Sequence, residues 1–465
     1  MEKITIKKIN EDIFYEKLDN GLDVYLYVNR NIHNNYVTFT TKYGSVYNEF
    51  NEVGSDKLIK VPNGIAHFLE HKVFVQKEDP QPEEFYGQNG GLSNAYTTFK
   101  NTTYLFSATD KLEENIAYLL DFVQNLYVTD ENVESEKGII TQEINMCNDR
   151  PSDILYDAIR KNAIKVNPFK ESIIGTVKEV NSITKELLQK CYDRFYHPSN
   201  MFLVVTGNFD KDEIIKVIKD NQAEKNFKNS SRIKVPEYKE PDKVVKSKEI
   251  IKCNTNIPKM AYTIKIPVNK FDMDLRKLSI YMYILFNILF GDTSDFDEEA
   301  KRDGIITNSL YYNILNIDTH FIISLMNSGD KYDELINRID QRLKNINLLQ
   351  DEFDRKKKVL ISNEIFSYEN IEMVNDMIVD NIIFDNHIED EIIPLIESLD
   401  IDELRDIVKK IDFENKSIDS KIETIYYKKY MGGIKLNDQF AVFISNKILF
   451  NDNIMTKRKI ILNIH

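Results

Sequence analysis

His67-Phe68-Leu69-Glu70-His71 sets two histidines four residues apart with a glutamate beside the second. On a helix, residues four apart share a face one turn from each other, so both imidazoles reach a single ion while Glu70 faces the same space. That donor set reads as a zinc site with its catalytic base built in, the equipment of hydrolytic chemistry. At about 1.5% His and about 7% Glu the pattern should arise by chance on the order of 0.01 times in such a chain, so it is specific, and its context decides. Pro62-Asn63-Gly64 suits a helix start, and Ile65, Ala66, Phe68, Leu69, Val73 and Phe74 surround the polar residues, which predicts a half-buried helix. Metal-binding and charged groups on such a helix need partners.

A third ligand should be Asp, Glu or His. The stretch from Glu131 through Glu134, Glu136 and Glu143 to Cys147 offers one on a second predicted helix, capped by Asp130 and ending about Asp149, before Pro151. Glu136 and Glu143 are seven apart and fall on nearly one face, two turns from each other. One of them can bind the ion and the other support it.

These residues together resemble a known family. His67-x-x-Glu70-His71 is similar to the inverted zinc motif of the inverzincins, the pitrilysin/insulinase metallopeptidases, and Glu136 with Glu143 looks like that family's second motif. Gly90-Gly91-Leu92-Ser93-Asn94-Ala95-Tyr96-Thr97 resembles its edge-strand signature, and Phe195-Tyr196-His197-Pro198-Ser199-Asn200-Met201 resembles the approach to its last N-domain strand. The likeness spans most of residues 20 to 215. Phe286 to Thr307 and Asp354-Arg355-Lys356-Lys357-Lys358 are most similar to the YmfH-like bacterial branch.

The resemblance implies that His67, His71 and Glu143 hold one Zn2+ per chain. Glu70 is then the general base for water at the open fourth position, and Glu136 supports a ligand or that water. It implies that Leu92, Ser93, Asn94, Ala95 and Tyr96 hold a peptide substrate extended by adding it to the sheet, a grip indifferent to side-chain sequence. The implied fold is α+β: two tandem homologous pitrilysin-type domains, each a mainly antiparallel sheet packed with helices, together one half of a clamshell chamber. The implied activity is that of a zinc metalloendopeptidase on peptides or small unfolded proteins, with maturation of a small ribosomally made peptide left open. The competing class is a non-catalytic structural or processing-complex subunit. Such subunits lose ligands or base, whereas all four positions stand here.

The 42% hydrophobic content of 465 residues is enough for domains with real cores. A net charge of −14 argues against nucleic acid, which needs a basic face, and the run Arg355 to Lys358 reads as a solvated helix surface. The beginning, Met1-Glu2-Lys3-Ile4-Thr5-Ile6, lacks an apolar signal region. Leu278 to Phe290 is short and contains Asn287, so it predicts a buried helix rather than a membrane span. Cys147, Cys191 and Cys253 are scattered, which indicates neither a disulfide framework nor a zinc ribbon and fits a reducing, cytoplasmic setting. His197 reads as structural, and His33, His320, His387 and His465 have no partner at metal spacing.

Residues 226–249, rich in Lys, Ser, Pro and charge, read as a linker between a zinc-binding domain, 1–225, and a second domain, 250–465, without a zinc site. Strand patterns fall at Asp23 to Tyr27, Val37 to Lys42, Thr103 to Ala108 and Phe202 to Thr206. Helical patterns fall at Asp274 to Phe290, Lys331 to Ile346 and Glu352 to Tyr368. The helix Leu275 to Phe290 sits where a second zinc motif would fall by the family layout and holds no histidine. Many relatives carry in this half an Arg and, seven residues on, a Tyr that stabilise the developing oxyanion. Aligning on Gly304 puts Ala300 and Thr307 there, and Tyr311 and Tyr312 have the wrong spacing. The resemblance therefore implies a heterodimer in which a zinc-less paralogue supplies the Arg/Tyr pair.

Overall fold

The computed structural model describes residues 1–465 except 228, 229, 254, 256, 389, 421, 422 and 425–465; His465 and the end of the second predicted domain lie outside the described residues. Two compact units form, and neither is continuous in sequence. The first takes 1–150, 164–241 and 354–400; the second takes 151–163, 242–353 and the described residues from 401 on. A division at 225 and 250 is thus crossed twice, by Pro151–Ala163 and by Asp354–Asp400.

The first unit is built on a sheet of seven strands: β1 (Glu2–Ile6), β2 (Glu11–Lys17), β3 (Asp23–Val28), β4 (Asn35–Thr41), β7 (Gly91–Thr97), β8 (Thr102–Ala108) and β9 (Met201–Gly207). A separate hairpin joins β5 (Glu49–Asn51) to β6 (Leu58–Lys60). The sheet order is β1-β2-β3-β9-β4-β8-β7, antiparallel except for β3 beside β9. β9 is buried along its whole length, as its unbroken Met-Phe-Leu-Val-Val-Thr-Gly run requires of a central strand covered on both faces. One face carries Val37, Phe39, Tyr104 and Phe106 against a helical layer that includes Ile65, Phe68 and Leu69. The other carries Tyr25, Tyr27, Phe202 and Val204 against Val374, Ile378 and Ile382 of the Ile371–Asp385 helix. Asn375 keys that helix to the sheet: it accepts from Thr38 Oγ1 at 2.6 Å and donates to the Val204 carbonyl at 3.2 Å. β7 ends the sheet and pairs only with β8, leaving its outer edge open among the described strands.

The second unit orders its main sheet β10-β15-β12-β14-β13, from β10 (Lys248–Glu249), β12 (Lys259–Pro267), β13 (Tyr311–Asn316), β14 (His320–Ser328) and β15 (Lys416–Ser420). Only the β10–β15 pairing in it is parallel. β11 (Lys252–Cys253) and β16 (Glu423–Thr424) form a small parallel pair. Lys265 is fully buried in β12 and donates to the Ala163 carbonyl at 2.9 Å, which ties the sheet to the end of the Pro151–Ala163 helix. Each unit is therefore a mainly antiparallel sheet with helices, the expected α+β architecture.

Two local expectations change. Thr129, not Asp130, caps the Asp130–Asn148 helix: its hydroxyl accepts from Asn132 N–H and the Asn132 side chain accepts from Thr129 N–H, satisfying two exposed donors reciprocally. The basic run is not uniformly solvated. Helical periodicity turns Lys356 inward with Phe353 and Leu360, and Lys357 Nζ donates to the carbonyls of Glu397 and Leu399. No helix among the described residues is long and apolar enough to cross a membrane.

Candidate active site

The Ile65–Phe74 helix starts from Gly64, whose φ of 86° and whose 2.5 Å clearance to the Ile174 carbonyl, measured from where a Cβ would stand, both demand glycine. Ile65, Phe68, Leu69 and Val73 anchor the helix in the core, which leaves His67, Glu70 and His71 on its other side. The two imidazole rings lie 4.6 Å apart, centroid to centroid. The neighbouring Asp130–Asn148 helix brings Glu143 Oε2 to 3.7 Å from both His67 Nε2 and His71 Nε2. Ligands about 2.0–2.2 Å from a tetrahedral zinc stand roughly 3.3–3.6 Å from one another, so Glu143 stands at nearly the spacing of a bound ligand from each histidine. His67, His71 and Glu143 are the one group of three metal-binding side chains among the described residues with all ligand atoms within 4.8 Å of one another. Two imidazoles and a carboxylate, with a side open, fit a catalytic zinc.

The electrostatics agree with that donor set. Burial, with His71 beside it, pulls the His67 imidazole down to about 3, so His67 is neutral and able to ligate. Burial also pulls His71 down, but the hydrogen bond to Glu136 and the charges of Glu70, Glu136 and Glu143 outweigh it and raise the net value. Glu136 Oε1 stands 3.1 Å from His71 Nδ1, which directs Nε2 toward Glu143. Burial raises the Glu136 carboxyl, and His71 and Lys72 more than reverse this, leaving it below its ordinary value. Glu70 is raised by burial, against a hydrogen bond from Thr97 Oγ1 at 2.5 Å.

The predicted substrate residues all lie on β7, the open edge. Thr97 reaches Glu70 and Ala95 packs on the same core, so Ser93, Ala95 and Thr97 line the face toward the histidine helix. Leu92, Asn94 and Tyr96 alternate to the other face, where Asp376 and Asp380 help raise the Tyr96 phenol, after burial itself. Leu92 is 75% exposed, and Ala95 N–H is held by the Asn94 side chain at 2.9 Å.

Two contributors escaped the sequence reading. Thr97 follows Ser93 by four residues and so shares its side of the strand, a parity signal that was legible. Lys72 occupies a core position in the stripe Ile65, Phe68, Leu69, Lys72, Val73, and it is 1% exposed. His197 is structural, capping a short turn by accepting from Ser199 N–H at 3.2 Å. In the second unit, Ala300 is buried in the Asp295–Arg302 helix, Tyr312 Oη accepts from Asn287 at 2.9 Å, and Tyr311 lines a cavity together with Tyr156.

A two-unit α+β fold with a His-His-Glu cluster beside an open sheet edge defines a metallopeptidase-like class, and comparison with known proteins makes it specific. Residues 52–177 match the family "Insulinase (Peptidase family M16)", and residues 182–360 match "Peptidase M16 inactive domain". The chain is 40% identical over 314 residues to the uncharacterized zinc protease YmfH of Bacillus subtilis, covering 67% of this chain and 73% of that one. It is 26% identical to an uncharacterized zinc protease of Rickettsia felis across 87% of this chain and 96% of the relative. The crystal structure of a putative M16-like peptidase from Alicyclobacillus acidocaldarius superposes with a TM-score of 0.83 at 31% identity, over 88% of this chain and 98% of that one. The chain belongs to the M16, or pitrilysin/insulinase, family, as a YmfH-like member.

Proposed function

We propose that the protein is a zinc metalloendopeptidase acting on extended peptides or small unfolded proteins. The observation that carries this reading is the convergence of His67 Nε2, His71 Nε2 and Glu143 Oε2 beside Glu70. Zinc held by those three residues would supply Lewis acidity, polarising the scissile carbonyl and activating water. Glu70 would act as the base, taking a proton from an attacking water and returning it to the leaving amine, and Thr97 Oγ1 holds its carboxylate in place. Glu136 fixes the His71 tautomer through Nδ1. Leu92 to Tyr96 bind the substrate as an added strand, for which the Asn94 side chain must release Ala95 N–H.

The reading extends to a partner. With Ala300 and Thr307 at the family's Arg and Tyr positions, and with Tyr312 already bonded to Asn287 and Tyr311 at the wrong spacing, a zinc-less paralogue supplies the oxyanion-stabilising pair in a heterodimer. Cys147, Cys191 and Cys253 are not joined in disulfides, which supports a cytoplasmic setting. A non-catalytic subunit is favoured by the inactive-domain match, but that match covers 182–360 and leaves His67 to Glu143 outside it. The test is a zinc-replete peptide-library digest read by mass spectrometry, on the chain alone and with any paralogue encoded beside it. Cleavage abolished by chelation supports the enzyme. No cleavage in either arm, with zinc bound, supports the subunit.

A further inference from the structure

Lysine is almost never fully buried without a charged partner, so Lys72, 1% exposed beside His71, calls for a reason. Its ammonium donates to the Asn132 carbonyl at 3.2 Å and lies 3.5 Å from Glu136 Oε2. Asn132 is itself pinned by the reciprocal bonds with Thr129 at the start of its helix, so the ammonium is held at a fixed point. Glu136, also buried, is thereby shared: Oε2 faces Lys72 and Oε1 faces His71 Nδ1. Without Lys72, Oε2 would be a buried acceptor with no cation, and the carboxylate would be free to turn away from His71.

We propose that Lys72 is a positioning residue that clamps Glu136, so that Glu136 can present His71 Nε2 to the metal. The inference rests on the zinc reading above. The Lys72 ammonium bonds to Asn132 and Glu136, and of these Glu136 is the one that reaches a ligand.

Two physical effects of removing Lys72 oppose each other, and this makes the test decisive. Simple repulsion between an ammonium and a nearby cation predicts that its loss tightens zinc binding. Loss of the clamp predicts weaker binding, by about 10- to 100-fold, as for other residues that orient a ligand. Zinc affinity is measured by chelator competition on the full chain, for the wild type, Lys72→Met, Glu136→Gln and the double variant, with folding followed by circular dichroism. The clamp requires a 10- to 100-fold loss in Lys72→Met and less than about a threefold further loss when the same change is made in Glu136→Gln. Unchanged or tighter binding in Lys72→Met, or fully additive losses, overturns the inference while leaving the zinc reading intact. A wild type that binds no zinc overturns both. If Lys72→Met does not fold, Lys72→Gln, which keeps a donor and removes the charge, is read by the same criteria.

Discussion

Replacing Thr97 by valine removes one hydroxyl from the Glu70 carboxylate while keeping the volume and β-branching that suit strand β7. The lost bond is short, 2.5 Å, and made to a half-buried carboxylate. Hydrogen bonds to charged groups contribute about 1.5–3 kcal/mol, equivalent to about 10- to 150-fold in rate if the bond acts wholly on the reactive arrangement. That figure is a ceiling, because a base relieved of a donor is also a stronger base. The assay is steady-state hydrolysis of a quenched fluorescent peptide, with zinc content measured in parallel. The fall should appear in kcat, with KM and zinc retained, since Thr97 touches Glu70 and none of the three ligands. Thr97→Ser should recover most of the activity. A Thr97→Val enzyme within threefold of the wild type, or one that loses its zinc, would refute the positioning of Glu70 by the edge strand.

Glu70→Gln should keep zinc and lose nearly all hydrolysis, since it removes the base and spares the ligands; comparable turnover would sink the mechanism. His67→Ala and Glu143→Gln should lose zinc and activity together, as elemental analysis of dialysed protein would reveal. Asp376 and Asp380 are held up at about 7 and about 8, chiefly by burial, then by Glu372 and Asp376 respectively. A carboxyl raised in the fold favours the folded state at low pH and loses that advantage as pH climbs through its folded value. Asp380→Asn should therefore raise the unfolding temperature at pH 8.5 more than at pH 5, and an equal effect at both would contradict the burial argument. The chain alone should hydrolyse peptides weakly and gain activity with a zinc-less paralogue; full activity of a monomer with Tyr311 and Tyr312 both changed to Phe would show that no outside pair is needed.

Much of the site was legible because its spacing is local. Three side chains at i, i+3 and i+4 share a helical face whatever surrounds them, and Glu136 and Glu143 repeat on one face for the same reason. Strands β3, β4, β8 and β9 and the Leu275–Phe290 helix, capped by Asp274, likewise follow from periodicity and a short-range cap. Sequence alone could not choose between Glu136 and Glu143 as ligand without the family likeness, because both satisfy the same helical rule. Tertiary structure separated them by setting Glu143 Oε2 at 3.7 Å from both histidines and giving Glu136 to His71 Nδ1 and Lys72. It also decided that the Ile371–Asp385 helix covers the first unit's sheet and the Pro151–Ala163 helix belongs with the second. An apolar stripe states that a helix must be buried, but burial is non-directional and carries no address, so only the folded chain could say against which sheet.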